Sequence, residues 1–187
     1  RIAAMHETAL RTLQELGMKV LLPEARAILQ AAGARVKEEM VYIGRDMVEA
    51  ALASAPREIR LRAANPAREQ RFAEGTLLFT PGSGCPNVTD RQRGRRPGSM
   101  ESFVETLKLH QSFDVIHMLG PSAEPQDIPP ALRHYPIMQA QMELSDKPLF
   151  VYARGRAQIE QSLEMIRLGL DLSEADFVDG VWAYTVI

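Results

Sequence analysis

The feature that most constrains this chain is the spacing of its apolar runs. Thr76–Thr80, Val115–Leu119, Pro148–Ala153 and Val181–Ile187 are short and apolar, and their starts lie 39, 33 and 33 residues apart. Between them lie stretches of helical periodicity, Met100–Gln111, Ala131–Leu144 and Ala157–Leu170. In the last of these, Ile159, Leu163, Ile166 and Leu170 share one face. Antiparallel neighbours can be joined by a tight turn, whereas parallel neighbours need a crossover, usually a helix. Apolar runs without alternation suit strands covered on both faces. The spacing therefore predicts an α/β chain of repeated strand–helix units. A (β/α)8 barrel of about 250 residues uses roughly 31 per unit, which accommodates three such units and a fourth strand. A doubly wound open sheet fits the same spacing, and the spacing does not choose between them.

The chain before Gly75 has a different character. Ile2, Met5, Ala9, Leu13 and Leu16 predict a helix ended by Gly17. Pro23 opens a second helix, with Ala25, Ile28, Leu29 and Ala32 along it and Gly33 after it. Val41–Ile43 reads as a short strand, and Asp46–Ser54 as a third helix that stops before Pro56. Ile59 and Leu61 alternate with Glu58, Arg60 and Arg62, the pattern of a half-exposed strand. These signals divide the chain into a small α/β segment, residues 1–70, and the strand–helix units, residues 71–187.

Composition excludes some functions. A net charge of −2 argues against a basic nucleic-acid binder. The single cysteine, Cys85, forbids an intrachain disulfide and favours a reducing compartment. No apolar stretch is long enough to span a bilayer, and no basic-then-apolar leader opens the chain. The expectation is a soluble, cytoplasmic protein without a membrane partner. It begins Arg1-Ile2-Ala3 without an initiating Met and so reads as incomplete.

Candidate chemistry sits where the apolar runs end, because ligands of barrels and open α/β sheets bind at the carboxyl ends of the strands. The first run ends in Pro81-Gly82-Ser83-Gly84-Cys85-Pro86. Glycines there let a ligand approach the main chain and open backbone conformations closed to other residues. A tight turn without a ligand uses them equally well. The segment is not a phosphate loop, lacking the Gly-Lys-Ser/Thr end, nor a nucleophile elbow. Cys85 reads as an inert thiol. His6, His110, His117 and His134 are scattered without metal-ligand spacing, so no metal site is expected.

The second run ends in Gly120-Pro121-Ser122-Ala123-Glu124-Pro125-Gln126-Asp127, followed by Arg133 and His134. Gln126 can donate and accept; Asp127 can hold a cation or cap the next helix. Pro136, inside the next helical run, is expected to kink or restart it. The third run delivers Tyr152 and Arg154 with the same strand parity, hence to one side. An aromatic ring at a ligand mouth can hold a quaternary ammonium. The basic run Arg91–Arg96 reads either as a solvated turn or as a docking patch for an acidic partner.

The segments "HETALRTLQELGMKV", "LLFTPGSGCPNVTDRQRGRRPGS", "EPQDIPPALRH" and "LSDKPLFVY", in this order and spacing, resemble the trimethylamine methyltransferase family, which includes glycine betaine methyltransferases. The resemblance covers nearly the whole chain. It implies a partial (β/α)8 TIM barrel, about its first half, preceded by the small α/β segment. It implies methyl transfer from trimethylamine or a quaternary amine such as glycine betaine to the corrinoid (cobalamin) cobalt held on a partner protein. Some members carry pyrrolysine in the later half of the barrel. No catalytic side chain is assigned. By the resemblance, Gly82, Ser83 and Gly84 floor the substrate mouth. Gln126 and Asp127 contact substrate or order its loop. Tyr152 joins a cation cage, and Arg154 pairs with a substrate carboxylate. Ser83 and Cys85 stand where the family tends to have Gly and Ala. Four more units of about 33 residues would close such a barrel. Open edge strands of a half-barrel predict a homo-oligomer or an excerpt of a longer product. The alternative is a catalytically silent half-barrel acting as a ligand-binding or assembly module.

Overall fold

The computed structural model describes residues 1–82, 84–120 and 122–186. The chain forms two compact units, Arg1–Pro56 and Arg57–Ile187.

The first unit contains α1 (Ile2–Arg11), a π-helical turn (Thr12–Leu16), β1 (Met18–Lys19), α2 (Pro23–Ala31), β2 (Arg35–Lys37), β3 (Met40–Tyr42) and α3 (Arg45–Ser54). Its three strands form an antiparallel sheet in the order β1-β3-β2, with Val41 opposite both Met18 and Val36. Val41, on the central strand, is wholly buried. The buried residue of α1 is Leu10, outside the stripe read from the sequence, and Ile2, Met5 and Leu16 are exposed. The regular α-helix ends before Leu16. The change to a π turn follows Thr8 and Thr12, whose hydroxyls donate to carbonyls four residues back and compete with the helical ladder.

The second unit opens with an antiparallel hairpin, β4 (Glu58–Leu61) and β5 (Gln70–Ala73), and a second hairpin follows, β6 (Asn87–Asp90) and β7 (Gly94–Pro97). Then come α4 (Met100–Ser112), α5 (His134–Leu144), β8 (Leu149–Phe150), α6 (Arg156–Gly169), α7 (Glu174–Asp179) and β9 (Ala183–Tyr184). β8 and β9 are parallel, Leu149 opposite Ala183 and Phe150 opposite Tyr184, joined through α6 and α7. This is the crossover that the spacing predicts. Thr76–Thr80 and Val115–Leu119 do not form regular strands. Each apolar segment nevertheless bonds to the next in chain order: His117 N donates to Phe79 O (2.9 Å), Leu119 N to Pro148 O (3.1 Å) and Val151 N to Tyr184 O (3.0 Å). The Tyr184 hydroxyl meets Thr80 Oγ1 at 2.6 Å and donates to the Leu119 carbonyl, tying the fourth segment to the first two. The fold is mixed α/β, and no sheet closes among the described residues.

α4, α5 and α6 supply Phe103, Leu107, Ile137, Met138, Ala140 and Ile166 to one core, against Leu119, Leu149 and Val151 of the apolar segments. Each such large apolar side chain, fully buried, contributes about 2 kcal/mol. Phe150, of opposite parity, packs edge-on against Tyr152 and Tyr184, both at 5.3 Å. The buried Gln141 amide on α5 bonds both main-chain groups of Phe150 at 3.0 Å, standing in for a ladder partner.

Pro136 requires a correction. α5 begins at His134, not at Ala131, so Pro136 lies in its first turn, where the missing N–H has no intrahelical acceptor to lose. No kink or restart is needed. α7 was not anticipated, although Ser173 accepts from Asp176 N as its cap.

The residues that precede the apolar segments are held by polar contacts. Asn65 donates to Asp146 (2.9 Å), Arg68 pairs with Asp114 (2.9 Å), and Gln111 donates to Asp146 (2.7 Å). The buried Lys147 ammonium donates to the His110 and Phe113 carbonyls, 2.7 and 2.8 Å away, at the end of α4. Among the described residues no helix is long and apolar enough to cross a membrane.

Candidate functional site

The chain beyond the first apolar segment is stitched to the chain beyond the second. Glu124 N donates to Cys85 O, Gly98 N to Pro86 O and Gln126 N to Gly98 O, each at 2.9 Å, and Cys85 bridges Ala123 in parallel. A Cβ on Gly98 would stand 2.5 Å from the Glu124 carbonyl, so the glycine is what permits this approach. Gly84 has φ +75° with open space around it, so backbone conformation rather than crowding calls for glycine there. Gly82 is exposed, and Ser83 lies outside the described residues. Cys85 is an exposed free thiol.

Glu124 is the centre of the arrangement. Arg133 Nη1 donates to Glu124 Oε1 at 2.7 Å, and Arg154 Nη1 pairs with the same oxygen. Arg133 is buried and commits its remaining donors, Nε and Nη2, to the Ile128 carbonyl at 3.1 and 2.8 Å. Burial alone would raise the Glu124 carboxyl; hydrogen bonds from Arg154 and Arg133 outweigh it and hold the group below the usual carboxylate range. It is therefore ionised at neutral pH.

After Val151 the chain turns. Arg154 N donates to Tyr152 O at 3.0 Å, an i to i+2 closure that brings Arg154 back over its neighbour. Its guanidinium carbon lies 4.5 Å from the Tyr152 ring centroid. Tyr152 and Arg154 thus do meet on one side, through a turn rather than along a strand. The Tyr152 hydroxyl is buried without a partner among the described residues. Burial, then the Glu124 carboxylate, push it up to about 12, so it is a neutral donor.

Gln126 is exposed, its side-chain amide 3.4 Å from the Glu124 carbonyl. Both Asp127 oxygens accept from Met100 N, at 2.9 and 3.2 Å, and cap α4 together with Ser99, which accepts from Ser102 N. The helix Asp127 caps is not the next one, as its position suggested, but α4, which precedes it in the chain.

The remaining candidates have structural partners. His117 Nδ1 accepts from Phe79 N (3.0 Å), His134 Nε2 meets Gln161 Oε1 (2.8 Å), and His110 Nε2 meets Ser122 Oγ (3.3 Å). No group of three or more His, Cys, Asp or Glu among the described residues is placed to hold a metal ion. In the basic run, Arg93 and Arg96 pair with Asp90 and Glu105, so this hairpin neutralises much of its own charge. Sequence reading passed over Glu124 and Arg133 as a pair. Their signal was present in "EPQDIPPALRH", where three prolines invite a turn that can return one end to the other.

With this geometry in hand, comparison with known proteins identifies the class. The model of the family Trimethylamine methyltransferase (MTTB) matches residues 1–187. The chain belongs to the trimethylamine methyltransferase family. It is 30% identical over 166 residues to a glycine betaine methyltransferase of Desulfitobacterium hafniense, covering 88% of this chain and 35% of that protein. An L-carnitine:corrinoid methyltransferase of Eubacterium limosum is 27% identical over 150 residues, 78% of this chain and 30% of the relative. A trimethylamine methyltransferase of Desulfitobacterium hafniense is 24% identical over 165 residues, 87% and 33% of the two chains. The chain spans about a third of the length of the curated relatives it matches.

Proposed function

We propose that this chain is part of a methyltransferase that moves a methyl group from a methylated amine to a corrinoid protein. We propose further that residues 71–187 are the opening portion of a (β/α)8 barrel. Three features support the architecture: bonding of the apolar segments in chain order, the parallel β8–β9 pair, and α4, α5 and α6 on one core. The observation that carries the functional reading is the Glu124–Arg154–Tyr152 arrangement at the end of the third segment, beside the loop stitched to Gly98. The family membership gives it its chemical context.

The chemistry asks little of a protein side chain. When the C–N bond breaks, nitrogen keeps the electron pair, a quaternary amine leaves as a neutral tertiary amine, and the methyl passes to the acceptor. A reduced corrinoid on a separate protein supplies the nucleophile and is a co-substrate. This chain's part is to hold the cation, exclude water and aim one methyl. Tyr152 offers an aromatic face, Arg154 offers donors to an anionic group, and Gly82 and Gly84 leave the mouth unobstructed. Gln126 flanks it from the stitched loop.

The test uses the complete gene product that carries this chain, with its corrinoid protein reduced. Trimethylamine, glycine betaine, carnitine and proline betaine are supplied in turn. Loss of the reduced-corrinoid absorbance with one equivalent of demethylated amine is expected for at least one. No transfer from any of them overturns the reading.

A further inference from the structure

We propose that the outward face of the β6–β7 hairpin, through Arg91 and Arg95, is the docking surface for the separate protein that carries the methyl acceptor, and that this partner meets it with an acidic patch. The inference rests on the methyltransferase reading and deepens it, by assigning the surface on which the acceptor protein lands.

The register of the hairpin gives it two faces. Val88 stands opposite Arg96, and Thr89 opposite Arg95. Val88 and Arg96 are half-buried, and Asp90 shares their side, whereas Thr89 and Arg95 are exposed. The inner face is closed by charge. Asp90 accepts from Gln92 N at 3.0 Å, Arg93 N at 2.7 Å, Arg93 Nε at 2.6 Å and Arg96 Nη1 at 2.5 Å. Glu105 on α4 accepts from both Nη groups of Arg93, at 3.1 and 2.8 Å, and lies 3.5 Å from Arg96. Two carboxylates are thus matched with two guanidinium groups, and the turn is fastened to α4.

Arg91 and Arg95 are left over. Both are exposed, and neither has an acidic partner among the described residues. On a chain of net charge −2 they form a local patch of the opposite sign. Charges presented by a fastened hairpin, rather than by a loose loop, can orient an incoming surface as well as attract it.

The place of the hairpin says which surface that is. Its two feet are joined by Gly98 N to Pro86 O, at 2.9 Å. The same feet hold the site loop, through Glu124 N to Cys85 O and Gln126 N to Gly98 O. The base of the hairpin is therefore part of the rim of the candidate site. In the proposed reaction the methyl leaves this mouth for an acceptor on another protein, which must arrive, take one methyl and depart. Opposite charge speeds such an encounter without demanding a large apolar interface that would slow release.

The experiment measures equilibrium binding of the corrinoid protein to the complete gene product, at low and at high ionic strength. Binding is expected to weaken about tenfold from the first condition to the second. Arg91→Glu combined with Arg95→Glu is expected to weaken it about twentyfold at low ionic strength, and the paired Gln variants about fivefold with a flatter salt dependence. The paired Lys variants keep the charge and stay within about threefold. In the transfer assay the KM for the corrinoid protein rises with the charge removed, while turnover at saturating corrinoid protein stays within about twofold. Should the charge-reversed chain fail to fold, the Gln pair carries the test. No binding by the unaltered protein, binding indifferent to salt, or unchanged affinity in the charge-reversed or Gln pair overturns the proposal. An altered oligomeric state with corrinoid-protein affinity intact assigns the hairpin to contacts between copies and overturns it likewise. Equal weakening of free cobalamin binding places the arginines on the phosphate of the corrinoid itself and overturns it too. Those results leave methyl transfer standing, whereas a corrinoid protein that binds through the hairpin and never receives a methyl overturns the methyltransferase reading alone.

Discussion

Two polar clusters in Arg57–Ile187 are built from similar residues and arranged to opposite effect. In the first, before the apolar segments, Asn65, Gln111, Ser145, Asp146 and Lys147 satisfy one another and the carbonyls at the end of α4. In the second, beyond the segments, Glu124 draws in Arg133 and Arg154 but leaves Arg154 donors and the Tyr152 hydroxyl unmatched among the described residues. A closed polar network stabilises and orders a fold, while surplus donors beside an open mouth are what a ligand can use. The contrast accords with the division seen in α/β barrels, where the amino face serves stability and the carboxyl face serves chemistry.

The comparison is broken most directly by removing one cation from each cluster. Lys147→Met removes the ammonium that bonds the His110 and Phe113 carbonyls, leaving Phe113 O only Ile116 N, and is expected to cost about 3 kcal/mol in chemical unfolding. Arg154→Gln in the same assay is expected to cost less than about 1 kcal/mol, because its pair reaches solvent. Equal costs would erase the distinction. Gly98→Ala comes next. Its Cβ collides with the Glu124 carbonyl, so a loss of about 2 kcal/mol is expected together with impaired betaine binding. Unchanged binding would separate the stitched loop from the site. Asp127→Ala removes a cap and is expected to lower stability by about 1 kcal/mol while glycine betaine affinity stays within threefold. A tenfold loss of affinity would make Asp127 a ligand residue after all.

The smallest effect is in pH. Burial, then the Lys147 charge, hold His110 below the ordinary histidine range. The unfolded chain therefore binds the proton more readily, and stability rises with pH through this window. Lowering the pH from 7 through the ordinary histidine pKa is expected to reduce Tm by ~2 °C, a loss that His110→Gln abolishes. An unchanged slope in that variant assigns the pH dependence to other groups.

Much of the helical frame was legible. α4 and α6 lie within a residue or so of where the apolar periodicity puts them, because burial of one face is written into the spacing. The β6–β7 hairpin was not read. Its turn depends on the Asp90 carboxylate accepting from the Gln92 and Arg93 main chain, which a composition rich in Thr, Asn and Arg only hints at. The apolar runs at Thr76 and Val115 carried the right neighbours but not regular strand geometry, since adjacency follows from apolar burial while ladder geometry depends on the bends beside it. Tyr152 and Arg154 were legible as a pair by parity; the Glu124 that binds Arg154 was not.

By itself the sequence determined the alternation of apolar segment and helix, the family, and the presence of a glycine-rich bend followed by polar loops. These are local or cumulative properties, and each survives being read along the chain. Only the tertiary structure decided that Asp127 caps α4, that Arg133 anchors Glu124, and that Arg154 lies across Tyr152 with donors to spare. Such contacts join residues brought together by the path of loops, and an ion pair or a cap is specified by distance and direction rather than by residue type.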